Sequence, residues 1–229
     1  MIPSHKVVFF MKIDRDGVRI AAILLGFSVL GAFFSSVLTW ILVAFTLFTL
    51  YFFRDPDRFF MPNLDILLSS ADGKVLYVKK IPFSQLQPEV AENFSDKTEY
   101  FKISIFMNVF NVHVNRVPTS GIVEKVNYIQ GKFFNASLDK ASEFNERCIY
   151  GFKTLSGAKI VFVQIAGLIA RRIRRDVKEG AEISQGQRFG LIRYGSRVDV
   201  YLPVDKYEVL VVEKQTTIAG ETQIARKIS

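Results

Sequence analysis

Glycine is followed by serine at one point in this chain, Gly195-Ser196. A serine hydroxyl is a weak nucleophile until a base takes its proton. His113 is the one histidine outside the amino-terminal tail, where His5 lies. Imidazole titrates near neutrality and suits proton transfer. Asp72 precedes Gly73 at a turn, and a turn carboxylate can orient an imidazole. Each residue also has a plain structural reading: His113 as a hydrogen-bonded histidine on a strand, Asp72-Gly73 as a β-turn. G-x-S-x-G is absent around Ser196, which weighs against a serine hydrolase. G-x-G-x-x-G and G-x-x-x-x-G-K are absent too, so nucleotide-phosphate loops are not indicated. A single cysteine, Cys148, excludes an internal disulfide framework and a thiolate-rich metal site. Two histidines leave little for zinc, so no metal is expected.

The elements that must position these residues fall into two parts. After residue 58 the chain reads as short runs of β-formers between turn residues. Strands are expected over 75–78, 100–106, 122–129, 148–154, 160–165, 189–192, 198–202 and 209–212. Leu155-Ser156-Gly157-Ala158 reads as a hairpin turn. Helical periodicity is weak apart from 137–146. The expected fold class is mainly β (α+β), a barrel- or sandwich-like catalytic domain at 59–229.

The first part, 1–58, is read as a membrane anchor with its flanks. From Ile20 to Phe53 there are 34 residues without a charge. One straight helix of that length would reach about 51 Å at about 1.5 Å per residue, more than a hydrocarbon core of about 30 Å. The two readings are one long tilted helix and a helical hairpin turning near Ser35-Ser36, and the hairpin is favoured. Its limbs of about 16 residues are short for full spans, so it dips into one leaflet. A cleaved signal peptide is disfavoured, because the run ends in Tyr51-Phe52-Phe53 and then Arg54-Asp55-Pro56-Asp57-Arg58 without a small-residue cleavage site. Lys6, Lys12, Arg15 and Arg19 before the run, with Arg54 and Arg58 after it, put both ends on the cytoplasmic side.

Lys and Arg exceed Asp and Glu, 30 to 22, for a net charge of +8. An apolar share of 49% with 23% charged residues excludes a chain that is mainly disordered. Arg171, Arg172, Arg174 and Arg175 form the densest basic cluster. Beside a membrane anchor, anionic lipid is the expected partner and nucleic acid is not.

The stretch from Phe189 to Pro203, with Gly195-Ser196 at its centre, resembles the self-cleavage site of the short, prokaryotic-type phosphatidylserine decarboxylases. Further patches carry the resemblance: Phe53-Arg54-Asp55-Pro56, Ala71-Asp72-Gly73-Lys74-Val75, His113-Val114-Asn115-Arg116-Val117-Pro118, Asn145-Glu146-Arg147, and Ile165-Ala166-Gly167 with Ala170-Arg171-Arg172-Ile173. They stand in the family's order and cover nearly the whole chain. The resemblance implies a pyruvoyl enzyme, a lyase made as a zymogen. Ser196 Oγ would attack the Gly195 carbonyl with Asp72 and His113 completing a Ser-His-Asp arrangement. Cleavage would give a β chain, 1–195, and an α chain, 196–229, beginning with a pyruvoyl group. That group is the implied cofactor. It would form a Schiff base with the serine amine of phosphatidylserine, and loss of CO2 would give phosphatidylethanolamine. His113 is the candidate proton donor; Arg116, Arg171 and Arg172 are candidates for the substrate's carboxylate and phosphate.

The implied partners are phosphatidylserine, the membrane, the paired cleavage products and, as an open alternative, a second copy of the chain. The implied location is the cell membrane with the catalytic domain on the cytoplasmic side. Longer members of the family carry a second histidine three residues after the first, where this chain has Arg116. Many relatives have Pro before Ala-Asp-Gly, where this chain has Ser70. The competing expectations are a membrane-anchored β-rich binding module that never matures, and a decarboxylase of a related phospholipid such as an archaeal-type ether lipid.

Overall fold

The computed structural model describes residues 11–94, 98–131, 135–137, 141–167, 172–193 and 195–228. Lys6, Arg171 and part of the helix expected over 137–146 lie outside the described residues. The chain divides into two compact units, 1–57 and 58–229.

The first unit is a helical hairpin. α1 (Arg15–Gly31) is capped by Asp14, whose side chain accepts from the Asp16 N–H. α2 (Ser36–Phe52) is capped by Ser35, which accepts from the Leu38 N–H. The helix therefore stops and restarts at the expected turn, and the single long helix is set aside. Small residues let the limbs approach closely: a Cβ on Gly17 would lie 2.2 Å from Phe53 Cβ. The open ends are joined by an Ile13–Arg54 bridge and by Asp55 N donating to the Lys12 carbonyl. Ser28, Thr39, Thr46 and Thr49 each return their hydroxyl to a carbonyl four residues back, so these polar groups are satisfied inside the helices. Among the described residues no helix is long and apolar enough to cross a membrane.

The second unit is mainly β, as expected. Its strands are β1 (Ile66–Leu68), β2 (Gly73–Pro82), β3 (Glu99–Met107), β4 (Val114–Arg116), β5 (Gly121–Ile129), β6 (Arg147–Thr154), β7 (Lys159–Ala166), β8 (Ile173–Arg175), β9 (Glu182–Ile183), β10 (Arg188–Ile192), β11 (Ser196–Pro203), β12 (Tyr207–Val209), β13 (Thr216–Thr217) and β14 (Gln223–Lys227). Two short helices, α3 (Pro88–Ala91) and α4 (Ala141–Phe144), lie between them. Eight strands form one sheet in the order β13-β2-β3-β11-β7-β6-β5-β9. Two three-stranded sheets, β4-β10-β8 and β1-β14-β12, accompany it. The β6–β7 hairpin turns at residues 155–158 as expected, with Gly157 at φ +83°.

The large sheet buries both faces. On one, Val198, Val200 and Leu202 of β11 join Ile103, Ile105, Phe162 and Tyr150 in the main core. On the other, Tyr201, Val161, Val163 and Ile149 pack with Leu86, Val90 and Phe94. That is why β6, β7 and β11 read as nearly continuous apolar runs rather than alternating ones. Cys148 is buried in β6, and burial pushes its thiol up to about 11. We expect iodoacetamide at pH 8 to label Cys148 only once denaturant opens the domain; labelling of the native protein at the rate of a free thiol would show that β6 opens on its own.

Candidate active site

The main sheet and the small β4-β10-β8 sheet are joined at the carboxyl end of β10. There the chain leaves β10, passes Arg193 and Gly195, and enters the centre of the large sheet as β11. Gly195 stands in this crossing at φ +70°, a conformation that L side chains rarely adopt. Ser196 is fully buried at the head of β11, between Met107 of β3 and Ala166 of β7. Its hydroxyl donates to Met107 Sδ at 3.8 Å, a weak acceptor.

His113 immediately precedes β4, which pairs with β10 through Val114 and Leu191. The pairing carries its ring to the crossing. Gly195 N lies 3.3 Å from His113 Nε2, and Asn111 O lies 3.0 Å from Nδ1. A backbone N–H can only donate, so Nε2 is the acceptor. The proton then sits on Nδ1 and is donated to the Asn111 carbonyl. These two bonds correspond to the neutral Nδ1–H tautomer, with the Nε2 lone pair held by the Gly195 N–H.

Asp72 lies at the same end of the sheet. Gly73 follows it at φ +154°, so close to β3 that a Cβ there would meet the Phe106 carbonyl at 2.1 Å. Phe106 and Met107 in turn pair with Arg197 and Ser196. The Asp72 carboxylate accepts from Arg58 NH2 at 2.9 and 2.7 Å and from the Ala219 N–H at 2.7 Å. The place that a Ser-His-Asp arrangement gives to a carboxylate, at His113 Nδ1, is held by the Asn111 carbonyl.

The arginine expectations separate. Arg116 is buried, and its guanidinium donates to the Gly186 carbonyl at 2.9 Å, fastening β4 to the loop before β10. Arg172 has an exposed side chain, and its carbonyl accepts from Arg193 N at 3.2 Å, beside the crossing. Arg171 lies outside the described residues. Arg174 is forked onto Asp176, and Arg175 lies 4.8 Å over the Tyr128 ring.

The family model described as phosphatidylserine decarboxylase matches residues 45–225. The phosphatidylserine decarboxylase proenzymes of Rickettsia africae and Rickettsia akari are 48% and 49% identical over 216 residues, covering 94% of this chain and 90% of each relative. That of Rickettsia prowazekii is 47% identical over the same extent. The chain belongs to the phosphatidylserine decarboxylase family. It is therefore a decarboxylase, and the expectation of a lyase holds.

Sequence reading of this decarboxylase missed a buried polar chain behind Ser196. Tyr150 donates to Gln164 Oε1 at 2.8 Å, Gln164 Nε2 to Asn115 Oδ1 at 2.8 Å, and Asn115 Nδ2 to Met107 Sδ at 3.5 Å. All four side chains are buried. Gly190 makes room for it, since a Cβ there would meet Gln164 Nε2 at 2.9 Å. The signal was present: Gln164 is the one uncharged polar residue inside the apolar run from Ile160 to Ala166, and Asn115 sits in the middle of the His113–Pro118 motif. The Asn145-Glu146-Arg147 motif proves to be a clamp. Asn145 Nδ2 donates to the Ala166 carbonyl, Glu146 accepts from Ile173 N, and Arg147 reaches Glu89 and the Glu143 carbonyl. It fixes the end of β7 that pairs with Ser196.

Proposed function

We propose that this decarboxylase cuts itself between Gly195 and Ser196, carries a pyruvoyl group at position 196 and acts on phosphatidylserine, releasing CO2 and leaving phosphatidylethanolamine. The observation that carries the reading is the neutral His113 with its Nε2 lone pair against a left-handed Gly195 and a buried Ser196. The residues fit the group. The Ser196 hydroxyl is tied only weakly to Met107, and a Cβ built on Gly195 would meet nothing within 4 Å, so the cut end has room to move away.

In self-cleavage the Gly195 N–H releases His113 Nε2, which then takes the Ser196 hydroxyl proton, and Oγ attacks the Gly195 carbonyl carbon. The peptide C–N bond breaks as the ester forms, and His113 passes the proton it took to the Ser196 nitrogen, which is released as an amine. Loss of the Ser196 Cα proton then breaks the Cβ–O bond. Gly195 leaves as a carboxylate, and position 196 is left as dehydroalanine. Water converts this to the pyruvoyl group and releases ammonia.

The pyruvoyl group would supply the carbonyl chemistry for the substrate amine and the sink for the electrons freed with CO2. His113 remains beside it as the proton donor to the substrate carbon. Met107 lines the position, with Asn115 behind it. Arg172, exposed next to the crossing, meets the anionic headgroup. Asp72, fixed by Arg58 and Ala219, holds the turn whose Gly73 presses on the β3 end facing Ser196. In this reading Arg116 fastens the loop and does not bind substrate. Intact-mass measurement of the purified protein tests the proposal: two chains, 1–195 and 196–229, the second with a blocked pyruvoyl start, together with CO2 release from phosphatidylserine. A single uncut chain that still decarboxylates would overturn it.

Gly195→Ala separates strain from space. The site has room for a methyl group, so the cost is that of an L residue at φ +70° alone, about 1–2 kcal/mol. Self-cleavage should slow about tenfold without stopping; complete arrest would mean that the methyl group obstructs the attack itself.

The helical hairpin is the proposed anchor in the cell membrane, with the catalytic unit on the cytoplasmic side. Its support is the apolar outer surface, with Ile23, Phe27, Phe33, Phe34, Trp40 and Phe45 exposed and its hydroxyls satisfied within the helices. Limbs of 17 residues reach about 26 Å at about 1.5 Å per residue, a little short of a core of about 30 Å, which suits a hairpin that enters and leaves from one side. Removing residues 1–57 should shift the protein from the membrane pellet to the supernatant; a truncated protein still in the pellet would place the anchor elsewhere.

A further inference from the structure

The turn between β3 and β4 is tied to the reaction centre at both ends. Before it, Met107 closes β3 and takes the Ser196 hydroxyl. After it, the Asn111 carbonyl accepts from His113 Nδ1. Between them the turn is stiff. Asn108 N donates to Asn111 Oδ1 at 2.9 Å, Phe110 N to Asn108 Oδ1 at 2.8 Å, and Asn111 N to the Asn108 carbonyl at 2.9 Å. Both asparagine side-chain oxygens thus bind the turn's own backbone, the pattern that fixes such loops. The tip is apolar all the same. Phe110 is 62% exposed, and Val109 beside it is partly exposed. A single apolar side chain on a surface is ordinary, but this one stands three residues from Met107 and three from His113.

The substrate of the proposed reaction keeps its acyl chains in a bilayer and offers its headgroup, in a polar layer of roughly 5–8 Å on each side. A reaction centre that takes such a headgroup has to come down to that layer, and the turn fixed to Met107 and His113 comes with it. A tip that enters the layer must leave no strong donor without a partner. The N–H groups of Asn108, Phe110 and Asn111 each have one inside the turn. A phenyl ring gains there by burying its carbons. The sign of the surroundings agrees. Residues 108–113, 172–175 and 190–196 contain no Asp or Glu. These segments meet where Ile192 N approaches the His113 carbonyl at 3.4 Å and Arg193 N the Arg172 carbonyl at 3.2 Å. Arg174 is taken by Asp176, but the Arg172 side chain is exposed. A cation at that place attracts an anionic leaflet.

We propose that, on the reading of phosphatidylserine as the substrate, the 108–111 turn docks on an anionic phospholipid bilayer. Phe110 enters the headgroup layer and Arg172 faces its phosphates, a contact additional to the helical hairpin. The test uses the full-length protein, whose Cys148 is buried. Phe110→Cys is labelled with an environment-sensitive dye and added to vesicles of phosphatidylcholine and phosphatidylglycerol that carry a quencher near the headgroup. The dye should shift to the blue and be quenched. The same dye on Leu155→Cys, in the turn at the end of β7 opposite Ala166 and Ser196, should do neither. Vesicles of phosphatidylcholine alone should quench the label at 110 at least about twofold less. Phe110→Ser should cut itself at the parent's rate and match the parent on water-soluble dihexanoyl phosphatidylserine. On vesicles its KM for phosphatidylserine should rise about fivefold, the scale of half-burying one phenyl ring, with kcat unchanged. A label at 110 that behaves like the one at 155, equal quenching in neutral and anionic vesicles, or a Phe110→Ser loss of the same size on soluble and vesicle substrate would overturn the docking surface. A parent inactive on both forms of the lipid would sink the substrate reading, and the dye would still decide the docking.

Discussion

Ser196→Ala is expected to leave one uncut chain and to lower decarboxylation by at least about a thousandfold, the scale on which loss of a covalent nucleophile registers. The size of the effect follows from the proposal that the hydroxyl is consumed to make the reactive group. Without it neither the cut nor the carbonyl can form. The variant should nevertheless fold normally. The buried hydroxyl's contact at hand is with a thioether at 3.8 Å, so its removal strands no strong partner. A melting temperature matching that of the parent, together with a single chain by mass, would tie the loss to chemistry. Cleavage in Ser196→Ala would move the reaction to another residue. His113→Ala should act differently. The nucleophile survives, so cleavage slows by the hundredfold or more that a base contributes, and added imidazole should restore part of it.

The largest loss of stability is expected from Asp199→Asn. Burial alone would raise the Asp199 carboxyl, but Arg197 and Lys102 beside it outweigh that and hold it down to about 2. An amide keeps the shape and loses the charge, leaving two cations buried without their carboxylate. Breaking such a pair from one side costs about 3–5 kcal/mol, against a total of about 5–15 for a domain. The melting temperature should fall by roughly 6–20 °C. The pH dependence carries the same signature. A carboxyl depressed in the fold contributes stability above its unfolded pKa of about 3.9, and that contribution is lost as pH falls toward the folded value of about 2. The parent should therefore lose stability between about pH 4 and pH 2, and Asp199→Asn should lack that component. A variant melting within a degree or two of the parent would mean that water reaches the cluster.

Residues that are rare were legible in the sequence. Gly195-Ser196 occurs once, and His113 has one competitor, so type and count were enough to nominate them. The longer strands were legible too, because β2, β3, β5, β6, β7, β10 and β11 are runs of five to ten β-formers. The short ones were not. β1, β4, β8, β9, β13 and β14 are two to five residues each, and their pairing is set by distant partners such as Lys74 for Thr216. The strand expected over 209–212 is instead β12, Tyr207–Val209; one more bond, from Leu210 N to the Ile224 carbonyl, precedes a turn in which Lys214 takes φ +66°. The helix expected over 137–146 shows as four residues, Ala141–Phe144, among those described. The Arg197–Asp199–Lys102 cluster and the Tyr150–Gln164–Asn115 chain stayed hidden for the same reason as the short strands. Each joins residues far apart in sequence, and only strand register brings them to one face.

That register bears on what becomes of the molecule after the proposed cut. β11 begins at Ser196 and pairs along eight positions with β3 and six with β7, while β13 and β14 are joined to β2 and β1. The carboxyl-terminal fragment is thus threaded through the middle of the fold rather than laid on its surface. It cannot be shed without tearing the sheet at its centre, so the two pieces should travel as one particle under native conditions. Unfolding changes character instead. Before the cut, a denatured chain refolds by itself at any dilution. After it, the fragments must find one another, and recovery becomes a second-order event that dilution defeats. Maturation would leave the protein's working shape intact while making its loss close to irreversible.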